Sequence, residues 1–152
     1  MTTDKDKAIS TLNNLIETCK DGENGFRTAA AGVKDGELKT LFDTYSRQRA
    51  KFAAALQDEI RVLGGDPEKS GSTAAVLHRG WINIKSTVTG QDEGAVISEC
   101  ERGEDSAVRN YEEALKENLP ADVKATVQRQ FAQVKEAHDR IRSLERASSA
   151  GR

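Results

Sequence analysis

The sequence contains few aromatic residues and very little proline. Aromatic residues make up 5% of the 152 positions, and Pro67 and Pro120 are the two prolines. Charged residues reach 32%, a composition typical of helices whose outer faces are solvated. Because proline interrupts helices, its scarcity leaves room for long ones. We therefore expect an all-α protein.

Long apolar runs are also missing from the sequence. No stretch approaches the roughly 20 apolar residues that span a bilayer, and the N-terminal MTTDKDKAIS lacks an apolar core of signal-peptide length. We expect a cytoplasmic protein with no membrane partner. The formal net charge is −2, which provides no basic field for general phosphate binding. Nucleic acid is therefore not an expected partner.

Cysteine is almost absent as well. Cys19 and Cys100 are too few and too far apart for a disulfide framework. Each lies on an apolar stripe, where a cysteine is usually a small buried hydrophobic residue. The length of the chain suits a single domain over 1–152, with a core of about 5–146.

Apolar residues recur at alternating spacings of three and four in four long segments. They predict helices over about 5–33, 36–63, 91–118 and 121–146, with a shorter helix near 73–88. Short connections join the first helix to the second and the third to the fourth, whereas a long crossover links the two pairs. This pattern favours a four-helix bundle in up-down-down-up order with a short extra helix in the crossover.

Each long segment interrupts its apolar stripe with a polar or ionisable residue: Glu23, Arg49, Glu104 and His138. At about 1.5 Å of rise per residue, these positions fall at similar heights near the middle of the bundle. Buried charges are tolerated mainly when they are paired or bind a metal. We predict that the four residues form an internal polar cluster in which Arg49 neutralises both glutamates and fixes helix register.

A metal site is the main alternative interpretation of these residues, and a small-molecule site is a third. Di-iron and di-manganese bundles use a Glu from each of two helices and a Glu-x-x-His motif from each of the other two. Here the ligands of iron or manganese would be Glu23, Glu101, Glu104 and His138. However, no Glu-x-x-His motif occurs in the sequence, and a guanidinium in the seam would repel a cation. We therefore expect no cofactor.

Trp81 lies in the long crossover. A tryptophan on an amphipathic segment usually anchors that segment, because its large ring buries much apolar surface. We expect the ring to pack on the outside of the bundle and to tie the crossover down.

Four stretches of the sequence carry a family resemblance: LNNLIETCKDGENGFRTAA (12–30), SRQRAKFAAALQDEIRVLGG (46–65), LHRGW (77–81) and CERGEDSAVRNYEEAL (100–115). Together they resemble an uncharacterised family of bacterial four-helix-bundle proteins in the ferritin-like superfamily. The resemblance extends over about residues 5–145 and implies a ferritin-like bundle. The wider superfamily includes ferroxidases, oxygenases and stress-linked storage proteins, but the family itself brings no established activity.

These observations lead to an expectation about function. We expect a non-enzymatic binding or stress-associated protein with an internal polar cluster. The alternative is a metal-dependent oxidoreductase or ferroxidase with a degenerate site. The sequence leaves the ligand, the protein partner and homo-oligomer formation open.

Overall fold

A computed structural model describes residues 4–67, 81, 83–90 and 92–150, with the backbone alone at 148–150. This described part contains five α-helices and no strand: α1 Asp4–Gly32, α2 Gly36–Val62, α3 Ile84–Thr89, α4 Glu93–Leu115 and α5 Ala121–Ala150. The prediction of an all-α fold is confirmed. No helix in these ranges is long and apolar enough to cross a membrane.

The predicted helix boundaries are close to the observed ones, with three corrections. Helix α4 ends at Leu115 rather than near 118, because the chain turns there and buries Leu119. Helix α5 continues to Ala150, beyond the predicted end at 146, since nothing before Gly151 interrupts it. Of the crossover helix predicted near 73–88, the structure shows only α3 from Ile84; Trp81 and Asn83 are not helical, and residues 73–80 and 82 lie outside the described part of the chain.

The loop between α1 and α2 is held by two carboxylates. Asp35 caps α2, because its side chain accepts hydrogen bonds from the backbone N–H groups of Glu37 and Leu38. From α4, Glu93 Oε2 accepts from the backbone N–H of Lys34 at 2.6 Å and of Asp35 at 3.1 Å. The start of α4 is thereby fixed against the end of α1.

The helices pack as a bundle with one sparser side. Helix α1 packs along both α2 and α4, α4 packs along α5, and α3 rests on α1 and α4, whereas α2 and α5 meet at fewer places. The core consists of two apolar clusters, one around Leu12, Leu56 and Val127 and the other around Phe26, Trp81 and Ile141. Along α2, Arg49 lies between residues of the second cluster and residues of the first. Glu104 lies between the two clusters in the same way along α4.

Candidate functional site

Arg49 of α2 and Glu104 of α4 form a buried ion pair inside the bundle. Nη1 of Arg49 lies 2.5 Å from Oε1 of Glu104, and Nη2 lies 2.6 Å from Oε2. The side chains are 1% and 0% exposed. Two parallel charge-assisted hydrogen bonds of this kind fix both the distance and the orientation of the partners. The predicted pairing of these two residues is confirmed.

The surroundings of Arg49 favour its charged form. Burial opposes the charge, but the adjacent Glu104 carboxylate outweighs burial and raises the pKa of the guanidinium above its ordinary value. The guanidinium carbon lies 5.4 Å from the ring centroid of Phe26, within the range of a cation–π contact. The Nε group donates to Gln48 Oε1 at 3.3 Å. The cation is therefore contacted by a carboxylate, an amide and an aromatic face.

Glu23 does not join this pair, and the prediction that Arg49 neutralises it is wrong. Its side chain is 32% exposed, and its carboxylate lies 4.0 Å from Arg27, one turn along α1. Gly22 faces Arg49 instead, because a β-carbon at Gly22 would stand 3.3 Å from both Cγ and Nη1 of Arg49. The stripe of apolar residues on α1 thus passes through a glycine, whose missing side chain leaves room for the guanidinium.

His138 of α5 lies at the edge of the core and binds two surface aspartates. Its Nε2 is 2.5 Å from Asp105 of α4, and its Nδ1 is 3.3 Å from the neighbouring Asp139. Burial lowers the pKa of the imidazole, but the hydrogen bonds to these two carboxylates outweigh it and raise the pKa above 6.5. His138 therefore belongs to a separate cluster, contrary to the prediction that it joins Arg49.

The alternative metal ligands do not come together. Both oxygens of Glu104 accept from Arg49. Glu23 is near Arg27, and Glu101 lies 3.9 Å from Arg142 on α5. Within the described ranges, no three His, Cys, Asp or Glu side chains form a group that could hold a metal ion. The residues named for iron or manganese thus do not fit a dinuclear centre.

A chain of hydrogen bonds beside the ion pair was not predicted from the sequence. Cys19 Sγ lies 3.1 Å from the hydroxyl of Tyr111, which donates to Gln130 Oε1 at 2.7 Å. Gln130 in turn donates to the backbone carbonyl of Phe52 at 3.2 Å. Because the single hydroxyl proton of Tyr111 goes to Gln130, the Cys19 thiol is the donor to Tyr111. The chain connects α1, α4, α5 and α2.

Burial decides the chemistry of the two cysteines. Burial raises the pKa of Cys19 from 9.0 to about 11, and it raises the pKa of Cys100 well above 9.0. Burial likewise raises the pKa of Tyr111 well above 10.0. Since the thiolate is the reactive form of cysteine, both thiols are poor nucleophiles at neutral pH. The prediction that the cysteines are buried core residues is confirmed.

Trp81 connects the crossover to the bundle more deeply than predicted. Its side chain is 2% exposed and lies in a slot between Gly25 of α1 and Gly103 of α4. A β-carbon at either glycine would stand within 2.2 Å of an indole atom. The ring also meets Phe26 edge-on at a centroid distance of 5.0 Å. The ring therefore anchors the crossover from within the core and not from its outside.

A buried carboxylate holds the chain just after Trp81. Glu99 of α4 is 3% exposed, and its Oε2 accepts a hydrogen bond from the backbone N–H of Asn83 at 3.0 Å. Its other oxygen lies 3.2 Å from Arg102. No sequence pattern indicated this contact, because a glutamate three residues before an arginine is common on solvated helices.

A comparison with protein families gives one result. A family model described as a domain of unknown function (DUF2383) matches residues 7–117. The chain belongs to this family. No curated protein matches it. The part matched to DUF2383 contains Arg49, Glu104 and Trp81, whereas Gln130 and His138 of α5 follow it. The ion pair is thus formed entirely by residues of the family's domain.

Proposed function

We propose that this protein is a non-enzymatic binding protein built on a ferritin-like bundle, in which a buried arginine stands where related bundles hold a metal. The observation that carries the proposal is the pair of hydrogen bonds from Arg49 to both oxygens of Glu104. Each oxygen of this carboxylate already accepts a charge-assisted hydrogen bond, so a metal ion would have to compete with the guanidinium for it. The positive charge beside it would also repel a cation.

Several contacts support the up-down-down-up order of a ferritin-like bundle. Hydrogen bonds join Thr18 to Asn110, while Glu93 binds the loop after α1. As the residue number rises on α1 it therefore falls on α4, which is the pattern of antiparallel neighbours. The pairs Tyr111–Gln130 and Ser98–Glu145 relate α4 to α5 in the same way. These directions fit a bundle with a single crossover.

The thiols beside the pair support a non-enzymatic role. Among the described residues, Cys19 and Cys100 are influenced electrostatically by Glu104, and burial keeps both thiols protonated. The bacterial, cytoplasmic and stress-associated setting of the proposal rests on the resemblance of the four sequence stretches to the ferritin-like family. Binding would then use the outer faces of the helices.

Metal analysis tests the proposal directly. Protein purified without chelators is examined by elemental analysis and titrated with Mn²⁺ and Fe²⁺ in a calorimeter. We expect folded protein with no stoichiometric metal and no ferroxidase turnover. Near-stoichiometric iron or manganese, or turnover of Fe²⁺, would overturn the proposal in favour of the metal-dependent oxidoreductase.

The variant Arg49→Met tests whether the arginine occupies the place of a metal. We expect this variant to gain affinity for Mn²⁺, because Glu104 is released and the repelling charge is gone. Arg109→Met is the matched control, since Arg109 is an exposed residue of the same helix bundle. Equal Mn²⁺ affinity in the two variants would contradict the proposal that Arg49 occupies the position of a metal.

A further inference from the structure

Helix α2 carries a second stripe of mostly exposed residues beside its core face, and one of them, Leu38, also packs against the core. This stripe lines two adjoining open grooves between α2 and α5, and Thr44 lines both of them. The stripe consists of Glu37, Leu38, Thr40, Leu41, Thr44, Arg47, Gln48 and Lys51. Spacings of three and four place these residues on one side of the helix. We call this set the α2 stripe.

The grooves are open because α2 and α5 are in contact mainly in the C-terminal half of α2. There Thr126 donates to Glu59 at 2.6 Å and Gln130 donates to Phe52 O. Farther along, Gln48 donates a long hydrogen bond of 3.4 Å to Gln133. Beyond it lies a groove of about 670 Å³ with Leu144 and Arg140 on its α5 side. Leu38 and Leu41 of the stripe are only partly buried there.

The charges of the α2 stripe change sign along the helix. Glu37 stands near the start of α2, and Arg47 and Lys51 stand three to four turns later; all three side chains are exposed. None of the three has an ion pair with another described residue. Two cations at a spacing of four repel each other on a helix. The stripe therefore presents an unpaired negative end and an unpaired positive end.

Thr44 is the midpoint of this pattern. Glu37 and Lys51 are each seven residues from it, and Leu41 and Arg47 are each three residues from it. An interface with two-fold symmetry needs a surface that is complementary to itself. A stripe of a single sign would call for a partner of opposite charge. A stripe whose sign reverses about its midpoint meets the requirement of a second copy of the same chain.

We propose that the α2 stripe is a homodimer interface, with the α2 helices of two copies antiparallel and the two-fold axis at Thr44. In this arrangement Glu37 lies opposite Lys51 of the partner subunit, and this pairing occurs twice. Arg47 then lies beside the same glutamate, since it is one turn from Lys51. The contact also covers Leu38 and Leu41, the partly exposed apolar residues of the stripe. The interface does not involve the internal ion pair, so its test is independent of metal binding.

Charge exchange on the whole chain tests the pairing. Sedimentation velocity over a range of concentrations is run on the wild type, Glu37→Lys, Lys51→Glu and the double variant. We expect the wild type to dimerise reversibly, and each single variant to raise the dimer dissociation constant at least about tenfold, because like charges then face each other. The double variant restores opposite charges and should return to within about threefold of the wild type.

The controls separate the interface from a general effect of charge. Glu112→Lys makes the same charge change at an exposed position of α4 and should leave dimerisation unchanged. The proposal is overturned if the wild type is monomeric at every concentration, or if the single variants dimerise like the wild type. It is also overturned if the double variant is no better than the single ones.

A cysteine at the proposed axis gives a second, independent measurement. Thr44→Cys places two thiols opposite each other at the two-fold axis, so mild oxidation should yield a disulfide-linked dimer. The native Cys19 and Cys100 are buried and contribute little background. Ser10→Cys, at an exposed position of α1, is the matched control. Equal crosslinking of the two variants would place the contact elsewhere and overturn the proposal.

Discussion

Arg49 of α2 and Glu104 of α4 join the α1–α2 hairpin to the α4–α5 hairpin through two parallel hydrogen bonds. Neither group is accessible to water, so each charge is compensated by its partner and not by solvent. Removal of one partner leaves an uncompensated buried charge, which is far more destabilising than removal of both.

The variant Arg49→Met should therefore lower the free energy of unfolding by about 3–5 kcal/mol. The double variant Arg49→Met, Glu104→Gln should recover part of that loss, because no buried charge remains. Urea denaturation followed by circular dichroism measures these two variants and the single variant Glu104→Gln. If the two single losses simply add in the double variant, the residues are not energetically coupled.

Glu23→Gln serves as the control for this prediction. Glu23 is partly exposed and lies 4.0 Å from Arg27, a surface pair of the kind that contributes little. We expect the free energy of unfolding to change by no more than about 0.5 kcal/mol. A loss as large as that of Arg49→Met would mean that Glu23 does belong to the internal cluster.

Gly103→Ala should displace the indole of Trp81. The new β-carbon would stand 2.1 Å from the indole Cε2, and such overpacking costs about 1–3 kcal/mol. We expect the tryptophan emission, at short wavelength in the native wild type, to shift to the red in this variant. Gly36→Ala is the matched control, because a β-carbon there meets nothing within 4 Å. An unshifted spectrum in Gly103→Ala would contradict the slot between the two glycines.

His138 should make stability depend on pH near neutrality. Its pKa in the folded protein is raised above 6.5, so protonation favours the folded state. The stabilisation is fully present below the unfolded pKa of about 6.5 and is lost as pH rises through the higher folded value. Urea midpoints measured across this range should fall with rising pH. His138→Gln should flatten the profile, and an unchanged slope in that variant would refute the assignment.

The two cysteines should resist thiol reagents in the folded protein. Cys19 and Cys100 are buried and protonated at neutral pH, so an aromatic disulfide reagent should label neither until the protein unfolds. The labelling rate should then follow global unfolding as urea is added. Rapid labelling of either cysteine in the absence of denaturant would show that the core opens locally at that position.

Periodicity was sufficient to predict the helices and half of the central cluster. Arg49 and Glu104 interrupt strong apolar stripes, and such interruptions on two helices indicate a buried pair. The prediction for Glu23 was wrong because a stripe at spacings of three and four can also pass through Gly22. A pattern based on apolar side chains does not detect a glycine. The slot for Trp81 was not predictable for the same reason, since it depends on the missing side chains of Gly25 and Gly103.

The network of Cys19, Tyr111 and Gln130 illustrates a different limit. Each residue has an ordinary structural interpretation on its own helix, and only the packing of three helices makes the hydroxyl of Tyr111 a shared partner. The spacing within one helix carries no information on such contacts. His138 was placed near the core correctly, but its two aspartate partners are exposed residues that no apolar pattern marks.

The position of Trp81 between the two hairpins has a consequence for the order of folding. Its slot has one wall on α1 and the other on α4, so neither hairpin alone can shield the indole from water. During refolding, the helices of each hairpin can form early from local contacts, whereas the tryptophan emission changes only when the hairpins meet. The single tryptophan of the chain is therefore a kinetic marker of hairpin docking, separable in a stopped-flow experiment from the faster growth of helical circular dichroism.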